Sequence, residues 1–254
     1  HFKAEAAFRV TAVFDVTTAD GTVTPLKAEL NTRFKTAAEA EAFLEACRQT
    51  DFTISNITTR PTRRTPAPPF TTSTLQQEAA RKLGFPVALT MRVAQSLYES
   101  GLITYMRTDS VNLSTLCLNS CGTVIESTMG ANYHQVRRFH THTKGAQEAH
   151  EAIRPTNMAD ETINGTQQEK RLYQLIWKRT LACQMADAQL EKTVVTIDIG
   201  GQSHQFVATG EVVKFDGFLR VYRESNDADA ENEEESSLLP PLSEGQQLKR
   251  DEII

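Results

Sequence analysis

The chain has few cysteines, no long hydrophobic run and no initiating methionine. Cys47, Cys117, Cys121 and Cys183 are scattered, with no Cys-x-x-Cys pair and no histidines at zinc-finger spacing, so a zinc knuckle is excluded. Cys117 and Cys121 stand one helical turn apart and offer two metal ligands at most. The thiols read as small apolar packing groups, and no metal-binding residues are assigned. No apolar run approaches the roughly 18 residues of a membrane-spanning helix, and no leader-like pattern opens the sequence. Hydrophobic residues at 39% and charged residues at 23% describe a soluble, globular chain. The expected compartment is the cytoplasm, with no membrane partner. Because the sequence begins at His1 and stops inside the strand-like run Asp251-Glu252-Ile253-Ile254, the expectation is a section of a longer protein. Its 254 residues allow one to two domains and an ample core.

Net charge is −5, which argues against a nucleic-acid binder until the charge is divided along the chain. From Arg60 to Arg179 fifteen Lys and Arg face nine Asp and Glu, a balance of +6 that leaves −11 for the rest. The centre is thus the basic part, as a phosphate-contacting surface requires.

Hydrophobic periodicity divides the chain the same way. Phe8, Val10, Ala12, Phe14 and Val16 alternate with polar residues, and Asp20-Gly21 turns the chain into Val23 to Leu30, a hairpin signature. A short helix follows with Thr36 as N-cap and Glu39 closing a capping box; Phe43, Leu44 and Cys47 form its apolar side. Phe52 and Ile54 start another strand. At the far end Val195, Ile197 and Ile199 lead through Gly200-Gly201 to Phe206 to Val213, a second hairpin, and Leu248 to Ile254 reads as one more strand.

Between these β-rich ends, the proline-rich link Arg60 to Pro69 is expected to interrupt both helix and ladder. Ser73 and Gln76 then form a capping box for a helix through Leu83, broken by Gly84-Phe85-Pro86. A second helix, Ala88 to Glu99, buries Val93, Leu97 and either Met91 or Ala94, and ends at Gly101 in the left-handed cap position. Ile103 to Arg107 then extends. Helix, turn, helix, glycine and strand make a winged-helix-like unit. A closing helix from Gln167 to Met185 places Leu172, Leu175, Ile176 and Cys183 at helical spacing as core; Trp177 reads as packing, with base stacking as the other role open to it.

Chemistry concentrates at Gly101-Leu-Ile-Thr-Tyr-Met-Arg-Thr-Asp-Ser110. Tyr105 is the candidate nucleophile for a phosphodiester. In an extended segment Tyr105 and Arg107 project to one face, where the guanidinium stabilises both phosphate and phenolate. A phenol is a weak nucleophile at neutral pH, so nearby positive charge is required. The structural alternative pairs Arg107 with Asp109.

Two further segments bracket this one: Pro69-Phe70-Thr71-Thr72-Ser73-Thr74-Leu75-Gln76-Gln77, and Gln147-Glu148-Ala149-His150-Glu151-Ala152-Ile153-Arg154-Pro155-Thr156. In this order the three resemble the type IA DNA topoisomerases, most closely the bacterial topoisomerase I group, and the resemblance continues through Leu172-Tyr173-Gln174-Leu175-Ile176-Trp177. It implies an α+β fold: a discontinuous β-rich arch, residues 1–65 and 189–254, with an inserted helical domain, 66–188, that carries the tyrosine. Three separate domains are the other arrangement open to this order. It also implies cleavage of one DNA strand through a 5′-phosphotyrosyl intermediate, strand passage and religation, relaxing negatively supercoiled DNA without ATP.

The family's N-terminal Toprim domain, with metal-binding acids and a catalytic lysine, has no counterpart here, nor do the C-terminal zinc ribbons of many relatives. Magnesium would be held by that Toprim domain, and this chain alone is expected to bind no cofactor, to be inactive, and to bind single-stranded DNA weakly, as a monomer. Asp227, Asp229 and Glu231 have the Toprim spacing but sit in the acidic run Glu224 to Glu235, which reads as a solvated segment.

Carried onto this sequence, the catalytic group is Tyr105, Arg107 and His150. The DNA contacts are Arg107, Thr108, Asp109, His150, Arg154, Arg137, Arg138 and Lys144, with His140 and His142 in the same basic cluster. Glu151 and Arg154 are expected to pair, and Pro155 ends any helix there. Tyr98 is assigned to helix packing. Two other readings remain: a non-enzymatic winged-helix DNA-binding module, and a tyrosine recombinase or type IB enzyme. The latter place their tyrosine after a His-x-x-Arg pair, whereas here Tyr105 precedes His150.

Overall fold

Inward and outward side chains alternate along β1 (Phe8–Thr17), with Val10, Ala12, Phe14 and Val16 buried and Phe8 exposed. The computed structural model describes residues 7–141, 150–223 and 239–254. β1 pairs antiparallel with β2 (Val23–Phe34), from Thr17 opposite Val23 to Phe8 opposite Phe34. The expected hairpin turn spans Thr18 to Thr22, where the Asp20 carboxylate accepts the Thr22 N–H at 3.1 Å. α1 (Ala37–Ala46) follows, capped by the Thr36 hydroxyl on the Glu39 N–H at 3.2 Å. Glu39 returns its carboxylate to the Lys35 N–H at 3.2 Å, one residue before the cap.

β3 (Phe52–Arg64), β4 (Ala188–Ile199), β5 (Gln205–Phe215) and β6 (Gln247–Ile253) complete a closed barrel in the order β1-β2-β5-β4-β3-β6. Closure leaves no open edge, which removes the usual liability of an exposed strand. Phe14, Phe52 and Phe206 meet inside, with ring centroids 5.1 to 6.2 Å apart, and Phe43 and Cys47 from α1 join the same core. Each fully buried phenylalanine contributes about 1.5–3 kcal/mol. The expected interruption at Arg60 to Pro69 is corrected here: β3 runs through Pro61 to Arg64. A proline stops a ladder only where its absent N–H is needed.

The chain divides into two compact units, one of His1–Thr62, Leu190–Val213 and Asn232–Ile254, the other of Arg63–Gln189 and Lys214–Glu231. The first holds the barrel together with α1, and the second holds the remaining helices, an α+β architecture.

In the second unit, α2 (Thr72–Glu78) continues as a π-helical turn, Ala79–Leu83. Its cap is Thr71, not Ser73. The Thr71 hydroxyl accepts the Thr74 N–H at 3.3 Å, and the Thr74 hydroxyl accepts the Thr71 N–H at 2.9 Å, a reciprocal box two residues earlier than expected. α3 (Val87–Glu99) buries Thr90, Val93, Ala94 and Leu97. It ends in a Schellman motif: Gly101, at φ +74°, donates to Tyr98 O at 2.9 Å, and Leu102 donates to Leu97 O at 2.9 Å.

The strand expected from Ile103 to Arg107 is a single bridge, Ile103 to Pro155, followed by bends. Its polar groups go to side chains and to a neighbouring loop instead of a ladder. α4 (Thr115–Thr128) has Ser114 as N-cap and buries Cys117, Leu118, Cys121 and Ile125 toward α5. α5 (Gln167–Ala182) opens with a Thr166–Glu169 capping box and packs on α3 and α4. It ends three residues before the expected Met185, and Cys183 is its C-cap. Trp177 is buried and donates Nε1–H to Met158 O at 3.0 Å, which makes it core and not a stacking platform.

α5 also supplies the buried Arg179. Its Nε donates to Pro68 O at 2.7 Å, its guanidinium lies 4.6 Å over the Phe70 ring, and its Nη1 donates to the Tyr222 hydroxyl at 3.2 Å. Tyr222 in turn donates to Glu78 at 2.7 Å. Burial above all, with the Glu78 hydrogen bond and charge, raises the Tyr222 phenol well above its ordinary value against the lowering effect of Arg179. This knot fixes Pro68 to Phe70, the approach to the first motif.

Candidate active site

The three motif segments, far apart in sequence, are bound to one another. Phe70 bridges Ile153, whose N–H donates to Phe70 O at 2.9 Å. The Thr72 hydroxyl donates to Met106 O at 2.7 Å and accepts the Thr108 N–H at 2.9 Å, while the Thr72 N–H donates to Thr108 O at 2.9 Å. Thr104 faces the third segment: its N–H donates to Arg154 O at 2.9 Å, its hydroxyl donates to Ala152 O at 2.7 Å, and that hydroxyl accepts the Arg154 N–H at 2.9 Å. On the far side, the Ser110 hydroxyl donates to His150 O at 2.6 Å and accepts the Asn112 N–H at 3.1 Å.

Tyr105 therefore sits on a short irregular segment held from both sides by threonine hydroxyls. Ile103 and Met106 are buried beneath it, and Tyr105 itself is 47% exposed. Arg107 and Asp109 are also exposed. Among the described residues, no ion pair joins Arg107 to Asp109. The bends replace the extended geometry expected to put both side chains on one face, so what the structure shows is an exposed phenol and an exposed guanidinium two residues apart on one segment. His150 is exposed, with its carbonyl on the Ser110 hydroxyl, and the Thr108 hydroxyl accepts the Ser110 N–H at 3.1 Å.

A model of the DNA topoisomerase family matches residues 1–254. The chain belongs to the DNA topoisomerase family. It is 47% identical over 221 residues to DNA topoisomerase 1 of Zymomonas mobilis, covering 85% of this chain and 18% of that protein. It is 46% identical over 214 residues to DNA topoisomerase 1 of Synechocystis, covering 82% of this chain and 24% of that one. Full-length topoisomerase I from Thermotoga maritima superposes with a TM-score of 0.74 at 30% identity, covering 98% of this chain and 39% of the other. The chain thus spans about a fifth to two fifths of the length of these relatives. Membership in the bacterial type IA group disfavours the free-standing winged-helix module.

Within this topoisomerase chain, the expected DNA-contacting arginines separate into two kinds. Arg107 and Arg138 are exposed. Arg154, by contrast, is 12% exposed and engaged: Nη2 donates to Glu151 at 2.7 Å and Nη1 to Pro155 O at 3.0 Å. Glu151 also accepts the Ser114 N–H at 2.7 Å, tying the third segment to the start of α4. Burial acts on Glu151 to raise its pKa, but the hydrogen bond and charge of Arg154, with Ser114, hold it below the ordinary carboxylate value. Arg137 is similarly internal, 14% exposed, donating to Cys183 O at 3.3 Å, to Met185 O, and to Asp187 at 2.5 Å. His140 is exposed. Lys144, His142 and Gln147 to Ala149 lie outside the described residues, as do Asp227, Asp229 and Glu231.

Tyr98, expected to pack within the helix, is 42% exposed and meets Tyr105 instead, with ring centroids 5.2 Å apart and planes at 64°. Sequence reasoning missed Thr72 and Thr104 as clamps. Nothing in a lone threonine announces a partner 34 or 48 residues away. Among the described residues, no group of three or more His, Cys, Asp or Glu is arranged to hold a metal ion, so no step is assigned to a metal bound by this chain.

Proposed function

We propose that this chain is the tyrosine-bearing section of a type IA DNA topoisomerase that relaxes negatively supercoiled DNA in the bacterial cytoplasm, close to the nucleoid. The observation that carries the reading is the convergence of three motif segments around one exposed tyrosine, with an exposed arginine two residues on.

Tyr105 Oη attacks the scissile phosphorus as its proton is lost. The Oη–P bond forms, the P–O3′ bond breaks, and the 3′ oxygen leaves with a proton, giving a 5′-phosphotyrosyl link. Religation is the reverse, so no ATP is consumed. Arg107 stabilises the charge that builds on the phosphoryl oxygens. His150, Thr108 and Asp109 line the strand next to the scissile phosphate, and Arg138 and Lys144 contact its phosphates farther along. Arg137 and Arg154 act one step back, as positioning residues. Magnesium belongs to acids of a Toprim domain elsewhere in the longer enzyme, which works as a monomer on single-stranded stretches of DNA. The 254-residue chain alone binds single strands weakly and does not turn over.

The test is cleavage of 3′-labelled single-stranded DNA with magnesium by the full-length enzyme and its Tyr105→Phe variant. Label retained on denatured protein only when Tyr105 is present is the expected result. An adduct indifferent to the substitution, or label retained only from the 5′ end, overturns the assignment.

A further inference from the structure

We propose that Tyr98 is a positioning residue for the Tyr105 phenol, an inference that rests on Tyr105 being the nucleophile. An exposed tyrosine on a short loop has two free side-chain torsions and samples several staggered wells. Nucleophilic attack uses only the well that places the phenol oxygen against phosphorus. The Tyr98 ring restricts this choice. Its plane meets that of Tyr105 at 64° with centroids 5.2 Å apart, the edge-to-face arrangement that aromatic quadrupoles favour.

Both rings rest on fixed backbone, so the contact can locate the phenol. Tyr98 follows the fully buried Leu97, and its carbonyl accepts the Gly101 N–H at 2.9 Å in the Schellman turn that ends α3. Tyr105 lies between Thr104, bonded to Arg154, and the buried Met106, bonded to Thr72. The two tyrosines remain 42% and 47% exposed, so the pairing leaves the phenol open to a DNA strand. A residue that served only to fill the core would not be this accessible.

The experiment uses the full-length enzyme with Tyr98→Ala, Tyr98→Leu and Tyr98→Phe, read by single-turnover cleavage of a 3′-labelled single strand at saturating DNA and by single-strand affinity from anisotropy. Tyr98→Ala and Tyr98→Leu should cleave about two- to tenfold more slowly with unchanged Kd. Tyr98→Phe, which keeps the ring, should restore the rate. Wild-type cleavage by both Ala and Leu variants overturns the proposal, and so does a loss that tracks Kd or one that Phe fails to rescue. In the 254-residue chain, labelled Tyr105 ring resonances should shift in Tyr98→Leu while the melting temperature holds; unmoved resonances also overturn it. Tyr105→Phe separates the two claims. An adduct that survives Tyr105→Phe removes the nucleophile assignment, whereas a Tyr105-dependent adduct formed at full rate by Tyr98→Ala removes this proposal alone.

Discussion

The Thr72 hydroxyl accepts the Thr108 N–H at 2.9 Å while the Thr72 N–H donates to Thr108 O at 2.9 Å, so one residue at the start of α2 holds both backbone groups of Thr108. The same hydroxyl donates to Met106 O at 2.7 Å. The backbone on each side of Arg107 is thereby fixed, and the arginine side chain is left as the free element between them. A helix N-terminus thus does the work that a strand ladder was expected to do.

Thr72→Val keeps the shape of the side chain and removes these hydroxyl bonds. The chain should lose about 1–3 kcal/mol, because a part-buried Met106 carbonyl and Thr108 N–H lose their partner. Thr72→Ser should stay within about 0.5 kcal/mol of the parent. Urea denaturation of the 254-residue chain measures both, and equal stability of the valine and serine variants would remove the clamp from the account.

Arg137 and Arg138 are adjacent, yet their substitutions should separate cleanly. Arg137→Ala leaves Asp187, at low exposure, with only the longer 3.9 Å ion pair to the exposed Arg63, and should cost about 3 kcal/mol with little effect on the salt slope of single-strand binding. Arg138→Ala should leave stability within about 0.5 kcal/mol and reduce that slope by about one. Melting curves and affinities of the full-length enzyme across a salt series check the pair. A reversed pattern would place Arg137 on the DNA.

How far the sequence was legible depended on the range of the interaction involved. Val10, Ala12, Phe14 and Val16 announce a strand because their period of two is local, and Gly101 announces a helix end because its φ of +74° is a local demand. The cap of α2 was not legible in the same way. Thr71 to Thr74 are all hydroxyl residues and all fit an N-cap, and the bonds from Thr72 to Met106 and Thr108 help set which one serves. α4 was hidden because Thr115 to Thr128 mixes cysteine, glycine and hydroxyl residues without a strong apolar stripe. The motif order pointed to the site, but a sequence does not say which arginines find carboxylates. Arg137 meets Asp187 fifty residues on, and Arg154 meets Glu151 three residues back.

Gly217 should be the least replaceable of the described glycines in the second unit. It sits at φ +49°, and an added Cβ would lie 2.4 Å from the carbonyl oxygens of both Ala186 and Asp187, which are backbone and cannot yield. Gly217→Ala should cost about 3 kcal/mol, left-handed strain and overpacking together. Gly101→Ala, with nothing within 4 Å of its Cβ, should cost about 1–2 kcal/mol from strain alone. Equal losses in the two variants, measured by thermal melting, would contradict the steric argument.

The Arg154–Glu151 pair makes a prediction that pH can isolate. Glu151 titrates below its ordinary value of 4.5 in the folded chain because Arg154 and Ser114 outweigh the effect of burial. A carboxyl whose folded pKa lies below its unfolded one contributes stability that is fully present above the unfolded value and disappears as pH falls through the folded value. Arg154→Met removes the largest stabilising partner and leaves a partly buried carboxylate, at a cost of about 2 kcal/mol near neutrality. The gap between parent and variant should therefore be largest near neutrality and narrow as pH falls through the carboxylate range, starting at the titration of the variant's Glu151, which burial without Arg154 moves upward from the parent's. Adding Glu151→Gln to Arg154→Met should remove that pH dependence, since no carboxylate is then left without its partner. Denaturation of the three chains across this range decides the matter, and a gap that widens in acid would show that Arg154 acts through some other group.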